Sequence, residues 1–255
     1  MAELIYRKEF TVHTYELDHQ GLSRPVALLH YLQDAAGDHA AMFGLSVPDL
    51  LRRGLTWVLS RYHVLFHGWP RWRERVTVET WPSGLNDFYA LRDFIMRDAA
   101  GGVLLTGTSS WMIISLERKK PVKLNGTVTA DYLLERRALE DDFAPLPVLE
   151  NAERELRLRV PSSALDLNRH VNNAHYIEWA LESAPEDVLL KARPAEVEVA
   201  YRAEAFFGDE VVARCGRASG NGMGAYEGQV FLHQIVNSAS GAELTRLRTR
   251  WLKQA

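Results

Sequence analysis

The sequence predicts an α+β fold in which one unit, a long helix followed by an antiparallel sheet, is built twice. Three observations carry this. The order strand, polar break, apolar helix, several strands runs through residues 4–115 and returns over 153–253. Gly and Trp keep one separation near the end of each half, in Gly101 to Trp111 and in Gly241 to Trp251. Leu17-Asp18 reappears as Leu165-Asp166, and His30-Tyr31 as His175-Tyr176 with a small length difference between. A shared order of weak matches marks a duplicated supersecondary unit. A sheet with one apolar face can wrap the helix and bury it.

Residues 4–16 alternate and are rich in β-formers, so they read as a strand. A polar break at Asp18 to Gly21 follows, and Ser23 is expected to cap a helix with Pro25 in its first turn. Val26, Leu28, Leu29, Leu32, Ala35 and Ala36 make that helix apolar to about Phe43, where Gly44 stops it. A short helix is expected at 47–54. Strands are expected at 56–67, 75–82, 87–98 and 103–115, separated by turn signals at Gly68 to Pro70, Pro82 to Gly84 and Asp98 to Gly102. Charge and proline accumulate over 116–150, which places a linker at 131–150 between domains at 1–130 and 151–255. The second half offers a strand at 153–160, a helix at about 172–183, a short helix after Pro185, and strands at 195–205, 209–218, 224–237 and 242–253.

Composition bounds the function. At 47% hydrophobic and 25% charged, the 255 residues are ordinary for a globular protein, and a net charge of −3 gives no argument for nucleic acid. The single cysteine, Cys215, excludes an internal disulfide and is compatible with a reducing compartment. No apolar run is long enough to span a membrane, and the first residues lack a signal-peptide core. A cytoplasmic protein is expected.

Chemistry concentrates in Asp166 to Trp179, where two carboxylates, three amides and two imidazoles sit where a loop enters a helix. A helix start offers unpaired N–H groups and a partial positive charge, and the N–H groups of Val171 to Asn173 are candidate oxyanion donors. Plainer readings stand beside each residue. Asp near a helix start is commonly a cap, Asn in a loop a turn former, a lone His structural, and Tyr176 and Trp179 core. His170 and His175 are five apart across the junction, unlike a helical metal-ligand pair at four, so neither metal nor organic cofactor is expected.

The stretch Asp166, Asn168, His170, Val171, Asn172 and Asn173, followed by Tyr176 and Trp179, resembles the signature of the acyl-acyl-carrier-protein thioesterases. In order with it, Thr56 to Val64, Val78 to Trp81 and Arg92-Asp93 resemble the family's earlier strands, and Ala200 to Glu204 its Tyr-Arg-Arg-Glu-Cys-Gly segment. The resemblance covers nearly the whole chain and implies two tandem hotdog domains. The C-terminal one would carry catalysis and the N-terminal one shape the acyl pocket. It implies hydrolysis of a fatty acyl thioester of acyl carrier protein, in fatty acid biosynthesis. Residue by residue, Asp166, Asn168, His170 and Glu204 match the family's catalytic positions. The family's cysteine is Ala205 here, so a cysteine nucleophile has no residue to use at that place, and Cys215 lies in another expected strand.

Thioester hydrolysis needs an activated water or nucleophile and a polarised carbonyl. Glu204 is the candidate base or nucleophile. Asp166 can orient His170 or Asn168, Asn168 can donate to the carbonyl oxygen, and His170 can shuttle a proton. Leu28, Leu32, Met42, Trp57 and Trp81 are candidates to line an apolar tunnel. An acidic carrier protein needs basic surface, and Arg246, Arg248 and Arg250 recur every second residue on one strand face. The same strip can meet the phosphates of coenzyme A. Because the two halves can pair with each other, a monomer can suffice, with a homodimer open. The rivals are an acyl-CoA thioesterase, a hotdog hydratase and a non-catalytic acyl-binding module.

Overall fold

The computed structural model describes residues 4–218 and 228–253. The chain divides into two compact units, residues 1–142 and 143–255.

In the first unit, β1 (Tyr6–Thr11) leads through a 3-10 turn to α1 (Pro25–Met42) and the short α2 (Val47–Leu51). Four long strands follow: β2 (Leu55–Phe66), β3 (Arg75–Leu85), β4 (Ala90–Asp98) and β5 (Val103–Ser115), with β6 (Lys120–Val122) against β5. The sheet runs β1-β3-β4-β5-β2, antiparallel throughout. Ala27, Leu28, Leu32, Ala35 and Ala36 form the buried side of α1. On β3 and β4 the alternation puts Val76, Val78, Thr80, Phe94 and Met96 in the core. Burying a leucine such as Leu32 contributes roughly 1.5–3 kcal/mol.

Three expectations change here. Ser23 is not the cap: it bridges Leu17 and donates its N–H to Pro70 O, so Arg24 becomes the N-cap and Pro25 keeps the first helical position. Pro82 to Gly84 is not a turn. β3 runs through it to Leu85, with a register shift between Pro82 and Gly84 that tolerates the missing proline N–H. The reversal comes at Asn86, whose N–H donates to Tyr89 O. The start of the expected linker is also packed structure. Leu134 N–H donates to Pro82 O, Trp81 Nε1 to Arg136 O, and Arg137 and the Ala138 N–H both reach the buried Asp93 carboxylate. Residues 134–138 therefore pack on the sheet face opposite α1.

The second unit contains β7 (Arg154–Arg159), α3 (Asn173–Glu182), α4 (Glu186–Lys191), β8 (Ala192–Tyr201), β9 (Glu210–Arg217), β10 (Gln229–Asn237) and β11 (Glu243–Lys253). Its sheet runs β7-β9-β10-β11-β8, which is the order of the first unit strand for strand. Residues 224–227 of the expected strand 224–237 lie outside the described residues. The strand expected at 195–205 ends at Tyr201, so Glu204 stands in a loop.

The duplication extends to single bonds. Trp111 Nε1 donates to Ser109 Oγ at 2.8 Å, and Trp251 Nε1 to Thr249 Oγ1 at 2.9 Å. Counted from the caps Arg24 and Asn172, however, Tyr31 stands level with Trp179 and His30 with Glu178. The pairing of His30-Tyr31 with His175-Tyr176 is therefore three residues out of register.

Candidate active site

In the second unit, Asp166 to His170 form a closed turn. Asp166 N–H donates to His170 O at 2.8 Å and Arg169 N–H to Asp166 O at 3.0 Å. Arg169 sits in the left-handed region at φ 63° to close it. Asp166 Oδ1 accepts from Asn168 N–H at 2.8 Å. Asp166 thus builds the turn; the helix cap is Asn172, whose Oδ1 accepts from Ala174 N–H.

Glu204 reaches this turn from the loop after β8. Its Oε1 lies 3.0 Å from His170 Nδ1, with Glu204 45% and His170 25% exposed. Of the two partners open to Asp166, it holds the backbone of Asn168, while Glu204 meets the His170 imidazole. Phe206 meets the His170 ring edge-on at 5.0 Å. A carboxylate at Nδ1 favours the tautomer with the proton on Nδ1, which leaves Nε2 as the acceptor nitrogen.

The Glu204 loop is tied from both sides. The N–H groups of Arg202 and Ala203 donate to Leu244 O, and Val171 N–H donates to Ala205 O at 3.0 Å. Ala205 N–H donates to the Tyr176 hydroxyl at 2.8 Å. Tyr176 was read from the sequence as core, and its ring is buried. Burial also pushes its phenol pKa up, so it stays neutral. Its tether to the neighbour of Glu204 carried no sequence signal beyond helical spacing. Of the expected oxyanion donors, Val171 N–H is used by Ala205 O and Asn172 N–H by Ala164 O, so neither can serve. Cys215 is buried and burial pushes its thiol up to about 12, which leaves it inert. His175 pairs with Glu178 at 2.9 Å, apart from His170.

The first unit carries the same loop. Asp18 N–H donates to Leu22 O, Gly21 N–H to Asp18 O, and Asp18 Oδ1 accepts from Gln20 N–H at 2.8 Å. Gly21 holds the left-handed position at φ 73°. Ser23 N–H donates to Pro70 O as Val171 N–H does to Ala205 O. This places Asp18 level with Asp166, Gln20 with Asn168, Leu22 with His170, and Trp69 with Glu204. Only the aspartate is shared, so the scaffold is duplicated and the imidazole–carboxylate pair is not.

The remaining candidates scatter. Leu28 and Leu32 are buried on α1. Trp57 packs on the cluster of Leu45, Leu50, Ile113 and Leu124 and donates Nε1–H to Leu45 O. Met42 does not join a buried lining: it ends α1 and is 51% exposed. Trp81 is buried on the wrong face for a tunnel under α1, because it is out of phase with Val78 and Thr80 and lies under residues 134–138.

The basic strip on β11 is neutralised. Arg248 pairs with Glu196 and Glu198, Arg250 with Glu196, and Arg246 with Glu243 in a two-bond fork. In the β8–β11 register Glu198 sits opposite Arg248 and Glu196 opposite Arg250. Opposite charges facing across a ladder satisfy one another first.

Two units, each a helix wrapped by an antiparallel sheet, define a tandem hotdog protein, with one polar loop complete and its twin reduced. The chain belongs to the acyl-ACP thioesterase family: residues 3–132 match the model of the acyl-ACP thioesterase N-terminal domain and residues 149–253 that of the C-terminal domain. It is 30% identical to an acyl-[acyl-carrier-protein] hydrolase of Cuphea viscosissima, over 97% of this chain and 63% of that protein. It is 29% identical to a palmitoyl-acyl carrier protein thioesterase of Arabidopsis thaliana, over 97% of this chain and 64% of that one. The chain thus spans less than two thirds of the length of these relatives. Its fold matches the 12:0-ACP thioesterase of Umbellularia californica with a TM-score of 0.87 at 24% identity, covering 100% and 96% of the two chains. An acyl-ACP thioesterase of Bacteroides thetaiotaomicron matches with a TM-score of 0.83 at 26% identity, covering 98% of each.

Proposed function

We propose that this chain hydrolyses the thioester of a fatty acyl-acyl-carrier protein and releases the free fatty acid, ending synthesis of that chain on its carrier. The observation that carries the reading is the Glu204–His170 pair beside Asn168, present in one unit of a chain from this family. His170 Nε2 takes a proton from water as the oxygen attacks the thioester carbon. Glu204 stabilises the imidazolium. Asn168 donates its amide N–H to the oxyanion. Collapse of the tetrahedral intermediate breaks the C–S bond, and His170 returns the proton to the leaving sulfur. Water and thioester become carboxylic acid and thiol, with no covalent enzyme intermediate and no use for a cysteine at Ala205. The N-terminal unit, lacking the pair, is left to bind the acyl group.

The Arg246, Arg248 and Arg250 strip does not support carrier docking, since Glu196, Glu198 and Glu243 already hold it. The test is thiol release from acyl-carrier-protein and acyl-CoA substrates by the wild-type, Glu204→Gln and His170→Gln proteins. Release from the carrier protein that falls about 10²-fold or more in both variants is the expected result. No release from any donor refutes the function. Release favouring coenzyme A moves the substrate. Full activity in folded Glu204→Gln refutes the assigned pair.

A further inference from the structure

Arg92 occupies an unusual place in the first unit. It lies on the α1-facing side of β4, in phase with Phe94 and Met96. The ladder contacts make its counterpart in the second sheet Phe231, a fully buried aromatic: Arg92 faces Ser109 on β5, and Phe231 faces Thr249 on β11. A guanidinium therefore stands where the twin sheet has core.

Its partners are neutral. Nη1 lies 3.2 Å from His39 Nδ1 and 3.2 Å from Thr80 Oγ1. Among the described residues no carboxylate pairs with it. The adjacent Asp93 projects to the opposite face, where Ser83, Thr108, Arg137 and Ala138 N–H hold it. Nε and Nη2 of Arg92 engage no described residue. Two bonds from one nitrogen thus fix the fork and leave its other donors without a partner among the described residues. Burial pushes the guanidinium down to about 10, so it is still cationic at neutral pH. A desolvated cation without a counter-charge is costly.

Partly buried apolar side chains adjoin it. Ala90, two positions back on β4, and Phe43, which meets His39 at a tilt and stacks on Tyr132, both pack on the cluster of Leu45, Leu50, Ile113 and Leu124, beside Trp57 and Leu85. A cationic fork next to apolar surface suits an anionic head with an aliphatic tail.

We propose that Arg92, held by His39 and Thr80, is a binding site for the carboxylate of a free fatty acid, with the tail on the apolar surface around Phe43 and Ala90. The site rests on the proposed hydrolysis only for the origin of its ligand, which is the product class of that reaction. The head would form a two-bond fork with Nε and Nη2. The Glu204 carboxylate beside His170 repels an anion, so the loop that makes the acid holds it poorly. Bound acid would restrain turnover as product accumulates.

The experiment is calorimetric binding of dodecanoate and hexadecanoate, of the matching alcohols, and of acetate, to the wild-type, Arg92→Gln and Arg92→Lys proteins, with melting followed by circular dichroism. The expected result is binding of each acid on the order of tenfold or more tighter than its alcohol. That preference disappears in Arg92→Gln, is reduced in Arg92→Lys, and acetate binds too weakly to saturate. Equal binding of acid and alcohol by the wild-type protein overturns the proposal and needs no variant to fold. So does an acid preference that survives in folded Arg92→Gln. Neither result depends on turnover, so a chain without thiol release can still pass or fail this test.

Discussion

Replacing Tyr176 by Phe isolates the tether of the candidate base pair. The hydroxyl accepts the Ala205 N–H at 2.8 Å, and both residues are buried. Phenylalanine keeps the edge-on ring contacts with Trp179 and Tyr201 and deletes only the acceptor. The Ala205 N–H then has no partner and no water, a penalty of about 1–3 kcal/mol. For a chain of this size each kcal/mol lowers Tm by roughly 2–4 °C, so a fall of about 2–12 °C is expected. The functional effect follows from Ala205 being the neighbour of Glu204. Without the tether, the 3.0 Å contact between Glu204 and His170 is held from one side less. Misplacement on the order of 1 Å costs about 10²-fold in rate. We expect kcat to fall about ten- to hundredfold while KM changes little, measured as thiol release under saturating acyl-carrier protein. An unchanged Tm refutes the buried-donor argument. A lowered Tm with unchanged kcat refutes the link from tether to catalysis.

The duplicated turn supplies an internal control: Asp18→Ala and Asp166→Ala should each cost about 1 kcal/mol, read by urea unfolding, and only Asp166→Ala should reduce thiol release. His233 gives a pH prediction. It is buried and neutral, giving Nδ1–H to Ser183 Oγ and accepting from Thr249 at Nε2, and burial pushes it down to about 3. A depressed folded value means its contribution is complete above the unfolded value and is lost as pH falls towards 3. At pH 5 the loss is about 2 kcal/mol, and melting between pH 7 and pH 4 should show a slope that flattens in His233→Gln. Arg248→Gln should lower stability by about 1–2 kcal/mol, since Glu198 loses its cation and Glu196 keeps only Arg250. It should leave KM for the acyl-carrier protein within about twofold, because a paired arginine has little charge to offer a partner; a large rise in KM would restore the docking strip.

Sequence reading went furthest where a few neighbouring residues hold the signal. Alternation located the strands, the apolar spacing of Leu28, Leu29 and Leu32 located α1, and the Asp-x-Asn-x-His spacing located the polar turn. It failed where a distant segment decides the outcome. Ser23 has the chemistry of a cap, yet a bridge to Leu17 and a bond to Pro70 take it away. Pro82 and Gly84 have the composition of a turn, yet β4 pairs with them through a register shift. The alternation of Glu196 and Glu198 was available to warn that the arginines of β11 had partners, but only the β8–β11 register brings them opposite.

By itself the sequence determined the element order, the duplication, and where the polar Asp166-x-Asn168-x-His170 turn enters a helix. These depend on periodicity and turn chemistry, which act over a few residues and survive in any packing consistent with them. Tertiary structure alone decided which carboxylate meets His170, that Tyr176 holds the Glu204 loop, that Trp81 faces away from α1, and that Arg92 lies on the α1 side of β4 with no carboxylate among the described residues to pair it. Each of these joins residues far apart in the chain. Which atoms meet is set by strand register and by the face each strand turns to its helix, and a register one residue away would exchange the faces.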